Sequence, residues 1–166
     1  MNGVVSTPFY FERLGAMAGT TLILGLGNTI MTDDGLGPRV IELLQQQGGL
    51  PDHVKLLDGG TLGLDLLPQL EDVVKLIIID AVELGQSPGS LVRLSGEEVP
   101  AALETKLSPH QMGLKDLLAV ARLMGHLPEE VVLIGAQPAS LEMSTDLTPA
   151  LATCLPDLAG LVRREL

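Results

Sequence analysis

Two adjacent carboxylates, Asp33 and Asp34, stand near the end of a glycine-rich loop that follows a short apolar run. The loop, GLGNTIMTDDGLGP at 25–38, begins like the phosphate-binding turn after the first strand of a dinucleotide-binding domain. That fingerprint needs a glycine five residues after Gly25, where this chain has Ile30, and the loop contains no Lys or Arg. A bound cation therefore suits these carboxylates better than a phosphate.

Some acidic residues of the chain also have a purely structural interpretation, which is hardest to apply to Asp80. Asp33 or Asp34 can cap the helix that begins near Pro38, and we expect one of the pair to do so. Asp80 directly follows the apolar run VVKLIII, where an uncompensated carboxylate would be costly to desolvate. Asp58 holds the equivalent place after the second apolar run, and the two glycines behind it leave a turn-forming role open.

His110 lies in the segment SPHQMG, which we expect to be a loop before a helix, and a surface role is the alternative to a ligand role. Together with Asp34 and Asp80 it would form an O,O,N set suited to Zn²⁺, Ni²⁺ or Mn²⁺. Three protein ligands leave coordination positions open for water or for a partner's groups. Ser108 lacks the strand–turn–helix context of a serine hydrolase, and Cys154 is expected to be buried and inert.

Apolar runs alternate with amphipathic segments along the chain. We predict strands at 21–26, 53–57, 73–79, 90–94 and 131–135, and helices at 38–47, 61–70 (capped by Thr61), after SPHQMG, and from Thr148 to the end. The segment at 95–107 is predicted as a Glu- and Pro-rich loop. This order predicts an α/β fold with a mainly parallel sheet and helices on both faces. No helix separates strand 90–94 from its predecessor, so an antiparallel pairing is open to it.

The predicted sheet explains how distant acidic residues could meet. Ligands of open α/β sheets bind beyond the carboxyl ends of the strands, where the strand order reverses. If the first strand is central, the loops after the first and third strands flank that reversal, and these loops carry Asp34 and Asp80. We therefore expect both carboxylates in one crevice.

Length and composition predict one globular domain at 21–166, preceded by a flexible extension at 1–20 in which Met17 is an alternative start. The 166 residues carry a formal net charge of −11, which disfavours nucleic acid as a partner. No apolar run has the roughly 20 residues of a membrane span. A single cysteine excludes an internal disulfide and fits a cytoplasmic protein.

Five segments in this order resemble the nickel–iron hydrogenase maturation endopeptidases: GLGNTIMTDDGLGPRV, LLDGGTLGLDLL, IIIDAV, SPHQMGLKDLL and IGAQP. The resemblance runs from about residue 21 to the C-terminus. It implies a twisted five-stranded α/β sandwich of three layers. It also implies that Asp34, Asp80 and His110 contact a metal.

The same resemblance implies a function: removal of a C-terminal extension from the hydrogenase large-subunit precursor after nickel insertion. The divalent metal would then be nickel supplied by the precursor, which is the expected partner. Water would attack the peptide, with Asp34 or Asp80 as base. Two alternatives remain open at this point, a non-catalytic nickel-binding carrier or checkpoint protein and a small nucleotide-binding domain.

Overall fold

A five-stranded sheet forms the centre of the molecule in a computed structural model. The structure describes residues 19–104 and 109–166; for residues 104, 109 and 110 it describes the backbone alone. The strands are β1 Thr20–Leu26, β2 Val54–Gly60, β3 Val73–Ala81, β4 Leu91–Ser95 and β5 Glu130–Ala136. They lie in the order β2-β1-β3-β5-β4. Every pairing is parallel except that of β4 with β5. The mainly parallel sheet and its one antiparallel strand are thus confirmed.

Helices cover both faces of the sheet, as the apolar strands require. They are α1 Leu36–Gln47, α2 Glu98–Glu104, α3 Pro109–Leu123 and α4 Pro149–Arg164, with two 3₁₀ helices at Thr32–Gly35 and Leu64–Leu70. Alternate residues of β3 point to opposite faces, so Ile77 packs with α1 and α4 while Ile78 packs with α2, α3 and the second 3₁₀ helix. Two hydrophobic cores result, one on each face, and the predicted three-layer sandwich is confirmed.

Two glycines allow α1 to lie unusually close to the sheet. A Cβ atom on Gly37 would come within 2.3 Å of the Leu26 carbonyl oxygen and 2.5 Å of the Ile79 carbonyl oxygen. A Cβ atom on Gly25 would lie 2.6 Å from the Gly37 carbonyl oxygen. These contacts involve backbone atoms, which cannot swing away. The start of α1 is therefore held against the ends of both β1 and β3.

Three local predictions were wrong. The segment 95–107 is not all loop, because Glu98–Glu104 forms α2 and buries Val99 and Leu103 in the core. The segment 61–70 forms a 3₁₀ helix that begins after Gly63, so Thr61 does not cap it. His110 does not precede its helix but lies in the first turn of α3.

Most of the predicted N-terminal extension, residues 1–18, lies outside the described residues, and β1 begins at Thr20. Residues 20–166 contribute to one sheet and its covering helices, as far as the structure describes them. Within that part of the chain, no helix combines the length and apolar character that a membrane crossing demands.

Candidate active site

The two predicted carboxylates flank the point where the strand order reverses. β1 pairs with β2 on one side and with β3 on the other, and Gly25 of β1 lies opposite Ile79 of β3. Asp34 lies in the 3₁₀ helix that follows β1, and Asp80 is the residue after Ile79. That 3₁₀ helix contacts β3. The sheet therefore brings both carboxylates to one end of two neighbouring strands, as predicted.

The loop after β1 is closed on itself rather than open to a phosphate. The Gly27 amide donates to the Gly60 carbonyl over 2.8 Å, and the Asn28 amide donates to Asp34 Oδ2 over 3.0 Å. Gly27 has a φ of +130°, and a Cβ atom there would lie 1.7 Å from the Asp34 carbonyl oxygen. Because these amides are used within the protein, the loop holds Asp34 instead of cradling an anion.

Asp33 and Asp34 have different environments despite being neighbours. Asp33 is fully buried, and its carboxylate accepts hydrogen bonds from the amides of Ala139, Ser140 and Thr148 at 2.8, 3.1 and 2.8 Å. The Thr148 hydroxyl also donates to it at 2.9 and 2.8 Å. Asp34 is half-buried. Asp33 thus serves structure, whereas Asp34, which accepts the Asn28 amide, lies closer to the surface.

The expectation that one of the pair caps the helix at Pro38 was wrong. The residue at the N-terminal cap of α1 is Gly35, with no side-chain hydrogen bond. The Asp33 carboxylate instead binds Thr148, the N-cap residue of α4, where a negative charge is stabilised by the helix dipole. Asp33 therefore joins the active-site loop to a helix that is more than a hundred residues away in sequence.

Thr32, which precedes both aspartates, has an unusual backbone conformation. Its φ of +47° lies in the left-handed region, which a β-branched residue rarely adopts and which costs about 1–3 kcal/mol. The conformation is held by the Thr32 amide, which donates to the Ser144 carbonyl over 2.8 Å, and by the Thr32 hydroxyl, which donates to the Glu142 carbonyl. This local strain directly precedes the two carboxylates, a position typical of functional loops.

Asp80 is almost wholly buried, with 1% of its surface exposed. The amide nitrogen of Gln111 lies 3.4 Å from Asp80 Oδ2 and donates to the Ala81 carbonyl over 3.2 Å. Gln111 therefore fixes the first turn of α3 against the end of β3. Since His110 precedes Gln111 in that turn, the backbone of all three predicted ligands lies at this end of the sheet.

The donor chemistry at this edge fits a divalent cation, with carboxylate oxygens from Asp34 and Asp80. The side chain of His110 lies outside the described residues, so its part in the set stays a prediction. Among the side chains that are described, no group of three His, Cys, Asp or Glu residues is close enough to hold a metal ion. A complete three-ligand site at this edge thus requires His110 or a group from a partner.

Other candidates from the sequence have structural roles. Asp58 is exposed and lies near the end of β2, where its Oδ1 accepts a hydrogen bond from the Gly60 amide over 2.9 Å; its two glycines continue the strand and do not form a turn. Burial raises the pKa of the Cys154 thiol, which donates to the Leu151 carbonyl over 3.2 Å. Such a thiol is a poor nucleophile because it stays protonated. Ser108 lies outside the described residues.

Two buried glutamine side chains at the site were not predicted from the sequence. Besides Gln111, Gln137 is buried, and its Oε1 accepts hydrogen bonds from the amides of Leu84 and Gln86 at 2.6 and 3.3 Å. Its amide nitrogen donates to Glu83 Oε1 over 2.8 Å. Gln137 therefore fixes the loop that follows Asp80. Each glutamine lies inside a segment that resembles the family, SPHQMG for Gln111 and IGAQP for Gln137, and this position could have indicated a role at the site.

Several known proteins are similar to this chain in sequence and in fold. A family model described as hydrogenase maturation protease matches residues 38–165, a range that includes Asp80 and His110, whereas Asp34 precedes it. The hydrogenase 2 maturation protease of Escherichia coli K12 is 46% identical over 129 residues, which cover 77% of this chain and 79% of that protein.

Another relative is HupD of Rhodobacter capsulatus, named a hydrogenase expression/formation protein, which is 47% identical over 133 residues. These residues cover 79% of this chain and 63% of HupD, so the chain spans less than two thirds of that relative. The structure of the hydrogenase maturating endopeptidase HybD from E. coli superposes with a TM-score of 0.85 at 41% identity, and covers 89% of this chain and 91% of HybD. The site geometry, the fold and these matches agree: the chain belongs to the hydrogenase maturation protease family.

Proposed function

We propose that this protein is the endopeptidase that removes the C-terminal extension of a nickel-loaded hydrogenase large-subunit precursor. The observation that supports this most directly is the position of Asp34 and Asp80 at the ends of two neighbouring strands beside the strand reversal, in a chain whose family consists of hydrogenase maturation proteases. The single free cysteine fits a reducing compartment, and we propose the cytoplasm as the place of action.

Nickel is part of the substrate in this proposal, and Asp34, Asp80 and His110 are the residues that would contact it. When bound, the metal would polarise the scissile carbonyl or the attacking water. The two carboxylates supply oxygen ligands, and either one can accept the proton of the water that attacks the peptide. Gln111 keeps Asp80 in place through the bonds of its amide at the end of β3.

Water is the proposed nucleophile because the described side chains offer no activated alternative at this end of the sheet. The one thiol of the chain, Cys154, is buried in the core formed with α4, and its raised pKa keeps it protonated. Asp33 accepts hydrogen bonds from three amides and one hydroxyl and is not available as a base. These facts leave Asp34 and Asp80 as the acid–base groups.

A cleavage assay tests the proposal and separates it from the alternative of a nickel-binding carrier. Purified nickel-loaded precursor is incubated with this protein and followed by gel mobility. We expect the precursor to be shortened at its C-terminus, with release of one peptide. A carrier or checkpoint protein would bind the precursor and leave its length unchanged, which would refute the proposed activity.

A further inference from the structure

Exposed apolar side chains surround the candidate active site. Between 48% and 81% of the surface of each residue is exposed, although each is a residue type that folding normally buries. We call these residues the apolar collar: Ile30, Leu62, Leu64, Met112, Leu141 and Met143. Single exposed apolar residues are ordinary, but a group around one site marks an interaction surface.

One half of the collar lies on the side of the sheet covered by α1 and α4. Ile30 belongs to the loop that carries Asp34, and its carbonyl accepts the Ser144 amide over 3.1 Å. The segment that contains Leu141 and Met143 is thus fastened beside that loop.

The other half lies on the side covered by α3. Leu62 and Leu64 flank Gly63, and a Cβ atom on Gly63 would come within 3.0 Å of the Gly113 Cα atom. Met112 precedes Gly113 and follows Gln111, whose amide contacts Asp80. The two halves therefore stand on opposite sides of the edge where Asp34 and Asp80 lie.

We propose that the apolar collar binds apolar side chains of the precursor's C-terminal segment on both sides of the peptide bond to be cut. This inference rests on the proposed function, since the segment must cross the sheet edge between the two halves to reach the carboxylates. A second copy of this chain is a poorer occupant. Each copy has a net charge of −11, and face-to-face docking would bring two pairs of carboxylates together.

Matched double substitutions test the collar, because the chain offers three pairs of one leucine and one methionine. Leu62→Gln/Met112→Gln removes apolar surface from the α3 side, and Leu141→Gln/Met143→Gln removes it from the α4 side. The control pair is Leu123→Gln/Met124→Gln. These residues are also exposed, but they lie at the far end of α3, about 18 Å along the helix from Gln111.

Binding is measured by calorimetry with the nickel-loaded precursor, and every protein carries Asp80→Asn so that the precursor stays intact. Each collar pair should raise the Kd by roughly tenfold or more, because the substitutions remove two apolar side chains that the complex would largely bury. The control pair should stay within about twofold of its parent. Circular dichroism and urea midpoints confirm that all variants are folded, and the exchanges Leu62→Met and Met112→Leu should retain binding.

Unchanged binding by both collar pairs relative to the Asp80→Asn parent, or equal weakening by the control pair, would overturn the inference, as would an unsubstituted protein that does not bind the precursor. So would a parent dimer that the collar substitutions convert to monomers, since the surface would then serve self-association. Failure of the proposed function shows itself separately, as a precursor that binds to the unsubstituted protein but is never cut.

Discussion

Neighbouring aspartates can have opposite tasks when their side chains lie in different environments. Asp33 points into the protein and holds the loop at 139–140 and the start of α4, whereas Asp34 remains half-buried beside the strand ends. The two residues are alike in charge and size, so a substitution at each should separate stability from activity.

We predict that Asp33→Ala lowers the free energy of unfolding by about 3 kcal/mol or more, because it removes a buried carboxylate that accepts hydrogen bonds from the amides of Ala139, Ser140 and Thr148. Asp34→Ala, the matched control, should change stability by less than about 1 kcal/mol and abolish precursor cleavage. Urea unfolding followed by circular dichroism measures both. Equal stability losses for the two variants would contradict the division of roles.

His110 is tested by its effect on metal affinity. His110→Gln removes an imidazole but keeps a polar side chain, so we predict a weaker affinity for Ni²⁺ or Cd²⁺ in isothermal titration. His53→Gln and His126→Gln are suitable controls, since both histidines are exposed, before β2 and after α3 respectively. If His110→Gln bound these metals as tightly as the two controls, His110 would be a helix residue without a ligand role.

Elements are positioned for function by close backbone contacts and by a few ion pairs. The start of α1 lies against the ends of β1 and β3 because Gly37 has no side chain. This contact keeps the loop of Asp34 near Asp80, so its loss should affect both stability and cleavage.

Gly37→Ala is predicted to destabilise the protein by about 1–3 kcal/mol, because the new methyl group would meet the carbonyl oxygens of Leu26 and Ile79 at 2.3 and 2.5 Å. Gly160→Ala in α4 is the control. A Cβ atom there meets only Arg164 Nη1 at 3.6 Å, so alanine should stabilise the helix by up to about 1 kcal/mol. Thermal unfolding measures whether each variant is less or more stable than the parent. A Gly37→Ala variant as stable as the parent would disprove the tight contact.

The end of α4 is joined to the sheet by Glu165. Arg93 donates to its carboxylate and Lys75 Nζ lies 3.4 Å away, and these contacts lower the pKa of Glu165. A lowered folded pKa stabilises the fold above the unfolded value, about 4.3 for Glu, and this contribution is lost as pH falls through the folded value.

Glu165→Gln should therefore reduce stability at pH 7 by no more than about 1 kcal/mol, and the difference from the parent should shrink as the pH falls from about 4.3 through the lowered pKa of Glu165. Urea midpoints at pH 7 and at low pH give the comparison. Glu42→Gln serves as control because its pairing with Arg39 is exposed and lies within one helix. A difference that persisted undiminished at low pH would show that the charge of Glu165 is not responsible.

At the scale of the whole molecule, the sheet was predictable because its strands are apolar throughout and alternate with helices. β3, for example, is buried on both faces from Leu76 to Ala81, as its run of isoleucines indicated. α2 was missed because Glu and Pro are typical of loops, and the burial of Val99 and Leu103 depends on distant partners.

The site was predictable in outline for the same topological reason: parallel strands end at one edge, so Asp34 and Asp80 had to approach each other. Which of two adjacent aspartates faces inward depends on the left-handed conformation of Thr32 and on Thr148, which no local pattern reveals. The amides of Gln111 and Gln137 were missed because their partners come from other elements.

The central claim is that the protein cuts a precursor in which nickel is already bound, with Asp34 and Asp80 facing that metal. Mass spectrometry of nickel-loaded and nickel-free large-subunit precursor, each incubated with and without this protein, tests it directly. Only the nickel-loaded precursor should lose its C-terminal extension, and Asp80→Asn should leave it intact. Equal shortening of both precursors, or none of either, would contradict it.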